Sequence, residues 1–566
     1  MLLKKFEEVN NPIIYIFGAI AISCICYGIY MDFRGLSIFI GALFFVYILS
    51  YFGMEFCIFI LLFFMTGLYI NTSYYKISDN IESIVRIVEI NNYETIGKVN
   101  GKNIILDCKN NLIEGKRYNI KAKIIDESDR YSGIVGRAEV YEIYENDDDF
   151  ISGLYKFKKN IFERLKENLG MRRAGLITSI AFGDSKNIDY EDKDDMKNYG
   201  IIHSVCVSGL HVAVVYGFLR YFLGNKIGLI LCGVYVVFTG GNYSSIRAFV
   251  MLSTVEGSKI FKRNNNSLSA LSLSALILLI FKPYGIMEIS FHLSYLATLG
   301  IILLNQKINY KLYKLPEKIR ESLSVTLSAQ VFIFPYMMIV FKDFSLNFIL
   351  GNLMFIPFVN ILVILGNMLI PSYKFSWLFD FFSYLCLNII RFFDALINKI
   401  DLYSMPMFYG NEYVAFFYLW LLISLYFIKK GYKKFIYLPA ISIIVIAISM
   451  YSPIMNIRYY REGALLICHK GDRVLVSSKK EIDMERLSKA SNASESYRIE
   501  KNMHFKDKLS LKVVKSDYIL KLKDKEFILN MSGKEIYYND YDIISFKDGP
   551  VNKVFIVDDK LIEVCS

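Results

Sequence analysis

The chain has few of the residues from which metal and nucleotide sites are usually built. Only 5 histidines and 9 cysteines occur among its 566 residues, and neither type recurs at the spacing of a metal site. A Gly-x-x-x-x-Gly-Lys-Ser/Thr phosphate loop is absent as well, so ATP would have to act through another protein. We therefore expect no resident cofactor.

Apolar residues, in contrast, are abundant. They make up 54% of the chain and give a mean hydropathy of +0.35, which soluble proteins rarely reach. Charged residues concentrate in residues 72–170 and 452–566. This distribution predicts a polytopic α-helical membrane protein with two soluble modules. The net charge of +11 fits both the lysine bias of cytoplasmic loops and a polyanionic partner.

Apolar segments of about 20 residues, long enough to cross a bilayer as helices, fall into two groups. Residues 1–71 form the first group, and residues 171–451 form the second. The predicted spans of the second group include Ile201–Leu223, Lys226–Thr239 and Leu378–Ile397. Several other segments are shorter, and such segments could be broken, tilted or buried in protein.

Basic residues predict the orientation of the chain in the cell membrane. Lys4 and Lys5 precede the first span, and the loop at residues 429–434 is rich in lysine. Both should be cytoplasmic, because lysine and arginine favour that side. Three crossings then place residues 72–148 outside. One crossing after the basic loop places residues 452–566 outside as well.

The soluble modules have different patterns. Residues 72–148 alternate apolar and polar side chains in short stretches separated by Gly and Asn, which predicts a small β-barrel or sandwich of the oligonucleotide-binding (OB) type. Residues 149–170 read as a basic amphipathic helix, either in the membrane interface or packed on its neighbours. Residues 452–566 contain strand-like stretches and predict a β-rich module.

Two of the histidines lie in one apolar run. If residues 200–216 form a helix, then Ser204, Ser208 and His211 share one stripe, with Gly209 allowing close approach of another group. Polar groups in hydrocarbon are costly, so they usually face a cavity, a partner or a substrate path. From residue types alone, pore lining and a hydrogen-bond network between helices both remain open.

Three weaker signals follow along the chain. Ser290, Ser294 and Thr298 recur every fourth residue beside His292, a spacing that also suits tight helix packing. Arg247 begins an apolar helix, where it could bind a phosphate or extend to the interface. The segment Asn352–Pro357 places a proline in an apolar run, which predicts a kinked helix.

The order of these motifs resembles the ComEC family of competence proteins, which form the inner-membrane channel for DNA uptake. The family signature His-Leu-Leu-Ala-Ile-Ser-Gly-Leu-His-Val is matched at His203, Ser208, Gly209, Leu210, His211 and Val212. Other segments that resemble sequence elements of the family are Ala181–Asp184, Ser245–Ala248, Phe291–Ala297 and Asn352–Pro357. The resemblance covers roughly residues 10–451. The family usually has Gln where His292 stands, which leaves the role of His292 open.

The resemblance implies a channel for single-stranded DNA in natural transformation. The implied pore or DNA path comprises His203, Ser204, Ser208, Gly209, His211, Arg247, His292, Ser294 and Asn352. In the external OB-like module, Tyr93, Tyr118 and Tyr131 are candidates for contacting bases. The implied partners are single-stranded DNA, the lipid membrane, a DNA receptor, a cytoplasmic ATPase and a separate nuclease.

The C-terminal module departs from the family pattern. Many members end in a metallo-β-lactamase-like domain, proposed to degrade the non-transported strand, whose metals require a His-x-His-x-Asp-His cluster. After Tyr451 this chain has only His469 and His504, 35 residues apart. We therefore interpret residues 452–566 as a shortened, metal-free relative of that domain, and the chain as a channel rather than an enzyme.

Two alternatives belong to other classes. Ser208 and His211 could meet as nucleophile and base of a membrane-embedded hydrolase or transferase, although no carboxylate is evident in the same helix. The other alternative is a transporter of a different polyanion, or a channel scaffold that has lost activity.

Overall fold

The structure is a computed structural model that consists of two compact units. Unit 1 comprises Met1–Phe332 and Ser345–Pro406, and unit 2 comprises Ile333–Phe344 and Met407–Ser566. The structure describes residues 11–565 except 31–32, 91–93, 109–111, 261, 263, 265, 461, 480–481, 500–501, 506–508, 515–516, 523–524, 532–541, 547–550 and 558–559. Lys4 and Lys5 therefore lie outside the described residues.

The helices confirm a multi-pass membrane protein. In the described chain, 8 helices are long and apolar enough to cross a bilayer, or up to 9 if a bent pair counts as one span. The α-helices are α1 Pro12–Ile29, α2 Arg34–Phe52, α3 Met54–Tyr75, α4 Phe150–Leu169, α5 Met171–Phe182, α6 Tyr190–Asn198, α7 Gly209–Phe238, α8 Tyr243–Ile260, α9 Ser267–Phe281, α10 Ile289–Lys311, α11 Glu317–Val340, α12 Phe348–Met354, α13 Ile356–Ser372, α14 Ser376–Ile400, α15 Glu412–Lys429, α16 Leu438–Met450 and α17 Met484–Ser491. The bent pair is α12 and α13, at 46°.

The predicted OB-like module is a closed five-stranded barrel. Its strands are β1 Asn80–Ile90, β2 Thr95–Val99, β3 Lys102–Asp107, β4 Arg117–Ile125 and β5 Ile134–Glu145. They pair in the order β1-β2-β3-β5-β4 and close back onto β1, with β3 and β5 parallel. Alternate side chains, among them Val85, Ile87 and Ile120, fill the interior. This is the arrangement expected from the alternating sequence pattern.

The barrel lies at one end of the first helix group. Its loop at residues 129–133 contacts that group through hydrogen bonds: Arg130 donates to the carbonyl of Tyr27 at 3.1 Å, Tyr74 donates to the carbonyl of Gly133 at 2.9 Å, and Tyr75 donates to the carbonyl of Arg130 at 3.2 Å. Tyr27 and Tyr74 are near the ends of α1 and α3. The barrel is therefore at the end of the bundle opposite to Pro12, where α1 begins.

The predicted span Ile201–Leu223 is wrong at its start, and the predicted span Lys226–Thr239 follows it within the same helix. Helix α7 begins only at Gly209, and it turns sharply at Gly224, whose φ of 78° and ψ of 172° are readily accessible only to glycine. The sulfur of Cys232 lies 3.8 Å from the carbonyl oxygen of Val212. In a straight helix these two residues would be about 30 Å apart. Although α7 has the length of a span, it is a helical hairpin.

The predicted span Leu378–Ile397 is also not supported. It lies in α14, which is not among the described helices that pass as membrane spans. One side of α14 is buried, including Phe379, Ile390 and Phe393, while Asp380 lies on the exposed side. This helix is amphipathic, and its apolar side packs against α13 in the core of unit 1.

Within the predicted amphipathic helix at residues 149–170, Phe150–Leu169 form α4. Its apolar side is buried at Ile161, Phe162 and Leu165. Its basic side also contacts protein, because Arg164 donates to the carbonyl of Tyr373 at 2.8 Å. These contacts support the alternative in which α4 packs on its neighbours.

Two short strands of unit 2, β6 Asp343–Phe344 and β7 Phe408–Tyr409, pair with each other. The C-terminal module of unit 2 is a β-sandwich, which confirms the β-rich prediction. Its strands are β8 Met455–Tyr460, β9 Ala464–His469, β10 Asp472–Ser477, β11 Glu495–Arg498, β12 Asn502–Phe505, β13 Leu509–Val514, β14 Asp517–Leu522, β15 Lys525–Asn530, β16 Asp542–Ser545, β17 Val551–Val557 and β18 Lys560–Cys565. One sheet has the order β11-β10-β9-β8-β17-β18 and the other β12-β13-β14-β15-β16. Ile467 and Leu529 belong to the core between the sheets, whereas Leu466 and Leu487 pack α17 on the outer face.

Candidate functional site

The first motif, residues 203–212, connects two helices and is not a single helix. A 3₁₀ turn at Ile202–Ser204 is followed by a bend, and α7 begins within the motif. Ser179 anchors the connection to α5 by donating its hydroxyl to the carbonyl of Val205 at 2.7 Å. Residues 174–182 of α5 are all buried. The motif is therefore positioned by a helix in the core of unit 1.

Ser208 and His211 cap the N-terminus of α7. The Ser208 hydroxyl lies 2.8 Å from His211 Nδ1, and the Ser208 backbone N–H donates to the same nitrogen at 3.1 Å. This is a capping box with histidine at the third helical position. Because Nδ1 accepts, the neutral ring carries its proton on Nε2. The predicted helical stripe is wrong for Ser204, which lies in the preceding turn, but Ser208 and His211 do meet.

Arg247 of α8 connects α8 to α10 beside the N-terminus of α7. Its guanidinium donates to the backbone carbonyl of Ser294 and to the hydroxyl of Thr298. A side chain at Gly209 would collide with that guanidinium, so only glycine allows this approach to α7. Ser244 adds a hydrogen bond to the Ser294 hydroxyl at 2.9 Å. Residues from three separate motifs thus converge at the N-terminus of α7.

The charge of this cluster is not balanced. Within the part of the chain that the structure describes, the groups bonded to Arg247 are a carbonyl and a hydroxyl, and no carboxylate pairs with it. The N-terminus of α7 adds the partial positive charge of its free N–H groups. A guanidinium beside a helix N-terminus is a favourable place for an anion, and phosphate suits both groups.

Polar side chains continue along α10 beyond this cluster. Ser294, Thr298, Asn305 and Asn309 are separated by 4, 7 and 4 residues, so they share one face of the helix. Near the end of that face is an open pocket of about 380 Å³. Its lining residues are Asn305, Gln306, Asn309, Tyr310, Tyr313 and Arg320. This extension is not among the residues predicted from the sequence, although the helical spacing of the two asparagines indicates it.

The other residues predicted to line the DNA path, His203, His292 and Asn352, differ in burial and in contacts. His203 is exposed beside the buried Ser204. His292 is half-buried in the first turn of α10, with its ring edge-to-face against Phe291 at 6.1 Å. Asn352 lies in α12 and donates to the carbonyl of Phe348 at 2.8 Å. Their predicted roles in a DNA path stay predictions.

The barrel tyrosines are not equivalent. Tyr118 is 5% exposed, and its hydroxyl accepts from the backbone N–H of Ile113 at 3.1 Å, so it is a core residue and not a surface for bases. Tyr131 is 49% exposed. Tyr93 lies outside the described residues. The sequence analysis did not single out Tyr141 and Tyr144, which are exposed on β5.

The metal site implied by the resemblance finds no counterpart in the described residues. No three His, Cys, Asp or Glu side chains there come together as ligands. His469 lies in β9 of one sheet and His504 in β12 of the other. The residues that the structure describes do not fit a pair of metal ions, and the metal-free interpretation of this module stays a prediction.

Comparisons with known proteins agree with the motif order. Residues 180–431 match the family described as "Competence protein". The chain is 25% identical over 270 residues to ComE operon protein 3 of Bacillus subtilis, covering 45% of this chain and 33% of that protein. It is 35% identical over 159 residues to an uncharacterized protein of Aquifex aeolicus, covering 26% of this chain and 38% of that protein. It is 25% identical over 208 residues to the uncharacterized protein YcaI of Escherichia coli, covering 33% of this chain and 28% of that protein.

The chain thus matches about a third of the length of these relatives. No solved structure matches the chain significantly. The matched residues 180–431 contain α7, α8 and α10, which form the Arg247 cluster. The match over these residues and the likeness to ComE operon protein 3 support a ComEC-like competence protein.

Proposed function

We propose that this chain conducts single-stranded DNA across the cell membrane, with the phosphates of the strand passing Arg247 at the N-terminus of α7. The family match supports a role in competence and DNA uptake. The observation that carries the channel proposal is the Arg247 cluster. It presents a guanidinium and a helix N-terminus, and none of its described hydrogen-bond partners is a carboxylate. A phosphodiester would supply the missing anion.

The polar face of α10 supports a path that extends beyond one site. Its hydroxyl and amide groups lead from Thr298 towards the pocket beside Arg320. Such groups contact phosphates and sugars without selecting a sequence, which suits transport of any DNA. Exposed tyrosines on the barrel, such as Tyr131, would contact bases before the strand enters.

The position of each soluble module on its own helix group supports the proposed orientation. The barrel lies at the end of its helix bundle opposite to Pro12, and the sandwich follows α16 at the end opposite to the basic loop 429–434. With the N-terminus and that loop in the cytoplasm, both modules face outside. The chain itself then serves as a channel without enzymatic activity. A DNA receptor, a cytoplasmic ATPase and a nuclease would act as separate partners.

Replacing Arg247 tests the proposal. Arg247→Met should lower uptake of labelled DNA at least tenfold, because losing a charged hydrogen-bond donor costs about 1.5–3 kcal/mol and 1.4 kcal/mol corresponds to tenfold. Arg220→Met removes an exposed arginine from the same region and should leave uptake unchanged. Membrane insertion should be normal in both variants. Normal uptake in Arg247→Met would reject the residue role, and normal uptake in cells lacking the chain would reject the function.

A membrane-embedded hydrolase or transferase is the second candidate, because Ser208 Oγ lies 2.8 Å from His211 Nδ1. However, the same nitrogen accepts the Ser208 backbone N–H, which ties the ring to the helix cap. A serine-directed fluorophosphonate should therefore fail to label the chain. Labelling that disappears in Ser208→Ala would favour the enzyme. Uptake of labelled polyphosphate instead of DNA would favour transport of another polyanion.

A further inference from the structure

Unit 2 contains a separate group of cations where its membrane helices meet the sandwich. Arg458 on β8 and Lys553 on β17 are direct cross-strand partners on the outer face of the six-stranded sheet. Arg473 on β10 lies opposite Cys468 on that same face. Lys342, just after α11, approaches the face with its ammonium 3.7 Å from the ring centre of Tyr460. Like charges directly across strands destabilise a sheet, so this arrangement requires compensation.

The compensation within the protein is incomplete. Glu412, the first residue of α15, forms an ion pair with Arg458. Among the residues that the structure describes, Lys342, Arg473 and Lys553 form no ion pair. Arg473 is only 4% exposed; it lies over the ring of Tyr413 at 5.6 Å, and its Nε has no hydrogen-bond partner. A buried guanidinium with an unpaired donor indicates a missing anion.

The position of the cluster indicates where that anion comes from. Helix α15 begins at Glu412, α11 ends at Val340 and α16 ends at Met450, and each of these ends adjoins the cluster or the first strand of the sandwich. The ends of membrane spans lie at the level of the lipid headgroups. Phe341 and Phe408 are both 37% exposed beside Lys342 and β6 (Asp343–Phe344), as expected for side chains at that level.

We propose that Lys342, Arg473 and Lys553 bind the phosphate of an anionic phospholipid headgroup. Arginine and lysine at the membrane surface attract such lipids, and the guanidinium matches the geometry of phosphate. The bound lipid would neutralise the outer face of the sandwich and fix the module against the membrane. This site does not depend on the transport of DNA.

Lys342 makes the binding depend on pH. Burial lowers the pKa of its ammonium to about 8. The charged groups that face it are Arg458, Glu412, Glu462 and Arg486, beside the ring of Tyr460. An anion is attracted only by the protonated form, so lipid binding should weaken as the pH rises through this range. Arginine at the same position would stay charged and remove that dependence.

Native mass spectrometry of the full chain in detergent tests the site. With equal amounts of dioleoyl phosphatidylglycerol and dioleoyl phosphatidylcholine, the wild type should retain phosphatidylglycerol preferentially. Lys342→Gln and Lys553→Gln should each weaken this retention about fivefold. Lys521→Gln is the matched control, because Lys521 lies on the other sheet and already pairs with Glu526. Retention should fall between pH 7 and pH 9 in the wild type but not in Lys342→Arg.

Several results would overturn the assignment. Equal retention of the two lipids would show that no anion site selects the headgroup. Equal loss in Lys342→Gln and Lys521→Gln would reduce the effect to net charge. Displacement of phosphatidylglycerol by low millimolar inorganic phosphate would indicate a site for free phosphate. Displacement by a 20-nucleotide oligothymidylate at a lower concentration than by competing lipid would indicate a nucleic-acid site.

Discussion

Arg172 on α5 and Arg247 on α8 both connect separate helices of unit 1, but their partners differ. Arg172 donates to Asp192 at 2.6 Å and to Asp394 at 3.1 Å. Arg247 donates to a carbonyl and a hydroxyl of α10, without a carboxylate among the described residues. A guanidinium between two carboxylates is neutralised by the fold itself. The guanidinium of Arg247 has no such partner, so its charge remains available for an anion that is not part of the protein. This difference in pairing distinguishes a structural arginine, Arg172, from a functional one, Arg247.

The largest effect on stability should come from removing Arg172, the arginine that pairs with carboxylates. Arg172→Met leaves Asp192, only 5% exposed, without its cation. Removing one partner of a fully buried pair costs about 3–5 kcal/mol, and the partial exposure of Arg172 reduces this to about 2–3 kcal/mol. Thermal unfolding of the purified chain in detergent measures the loss. Arg247→Met, measured in parallel, should lower the unfolding temperature less, because it leaves a carbonyl and a hydroxyl but no carboxylate without a partner.

A second substitution tests whether the loss comes from the unpaired carboxylate. Adding Asp192→Asn to Arg172→Met removes the remaining charge and should restore part of the stability. The comparison between the two arginines fails if Arg247→Met unfolds as early as Arg172→Met. In that case Arg247 would also be a structural residue.

A smaller effect should follow from changing the position of Arg247 without removing it. In Gly209→Ala the new methyl group collides with the guanidinium, which must move away from the N-terminus of α7. DNA uptake should fall up to about tenfold, equivalent to ~1.4 kcal/mol. Gly217→Ala is the matched control on the same helix, because a methyl group there meets nothing within 4 Å. Equal uptake in the two alanine variants would contradict the proposed contact.

Much of the architecture could be predicted because it depends on periodicity. Alternating side chains such as Val85 and Ile87 predicted the barrel, and both are fully buried in it. Long apolar runs predicted helices such as α10 and α15 for the same reason. In both cases the spacing of the apolar residues shows which side chains are removed from water, and the fold buries those side chains or exposes them to lipid.

The hairpin and the helix cap could not be predicted in this way. The sequence places a boundary between two predicted spans at residues 224–225, but hydropathy cannot show that the chain reverses there. Ser208 and His211 fit helical spacing equally well as a stripe and as a capping box. The contact of Arg247 with Gly209 depends on tertiary packing of α8 against α7, which local spacing does not contain. The order of the motifs, through the family resemblance, was the signal that indicated this site.

The smallest effect should come from a paired arginine near the surface. Arg86 of the barrel donates to Asp149 at 3.1 and 2.5 Å, and Asp149 also caps α4. Asn caps helices as well as Asp does, so Asp149→Asn removes the charge but keeps the cap. For a partly exposed pair this should cost about 0.5–1 kcal/mol at pH 7.

The dependence of this difference on pH follows from the pKa of Asp149. The hydrogen bond with Arg86 holds that pKa well below its ordinary value of 3.8. The ion pair therefore stabilises the fold above about pH 3.8, and its contribution is lost as the pH falls through the lower, folded-state pKa. The difference in unfolding temperature between wild type and Asp149→Asn should thus be present at pH 7 and shrink progressively below pH 3.8. A difference of constant size would mean that the loss does not come from the charge of Asp149, and the ion pair with Arg86 would then contribute nothing to stability.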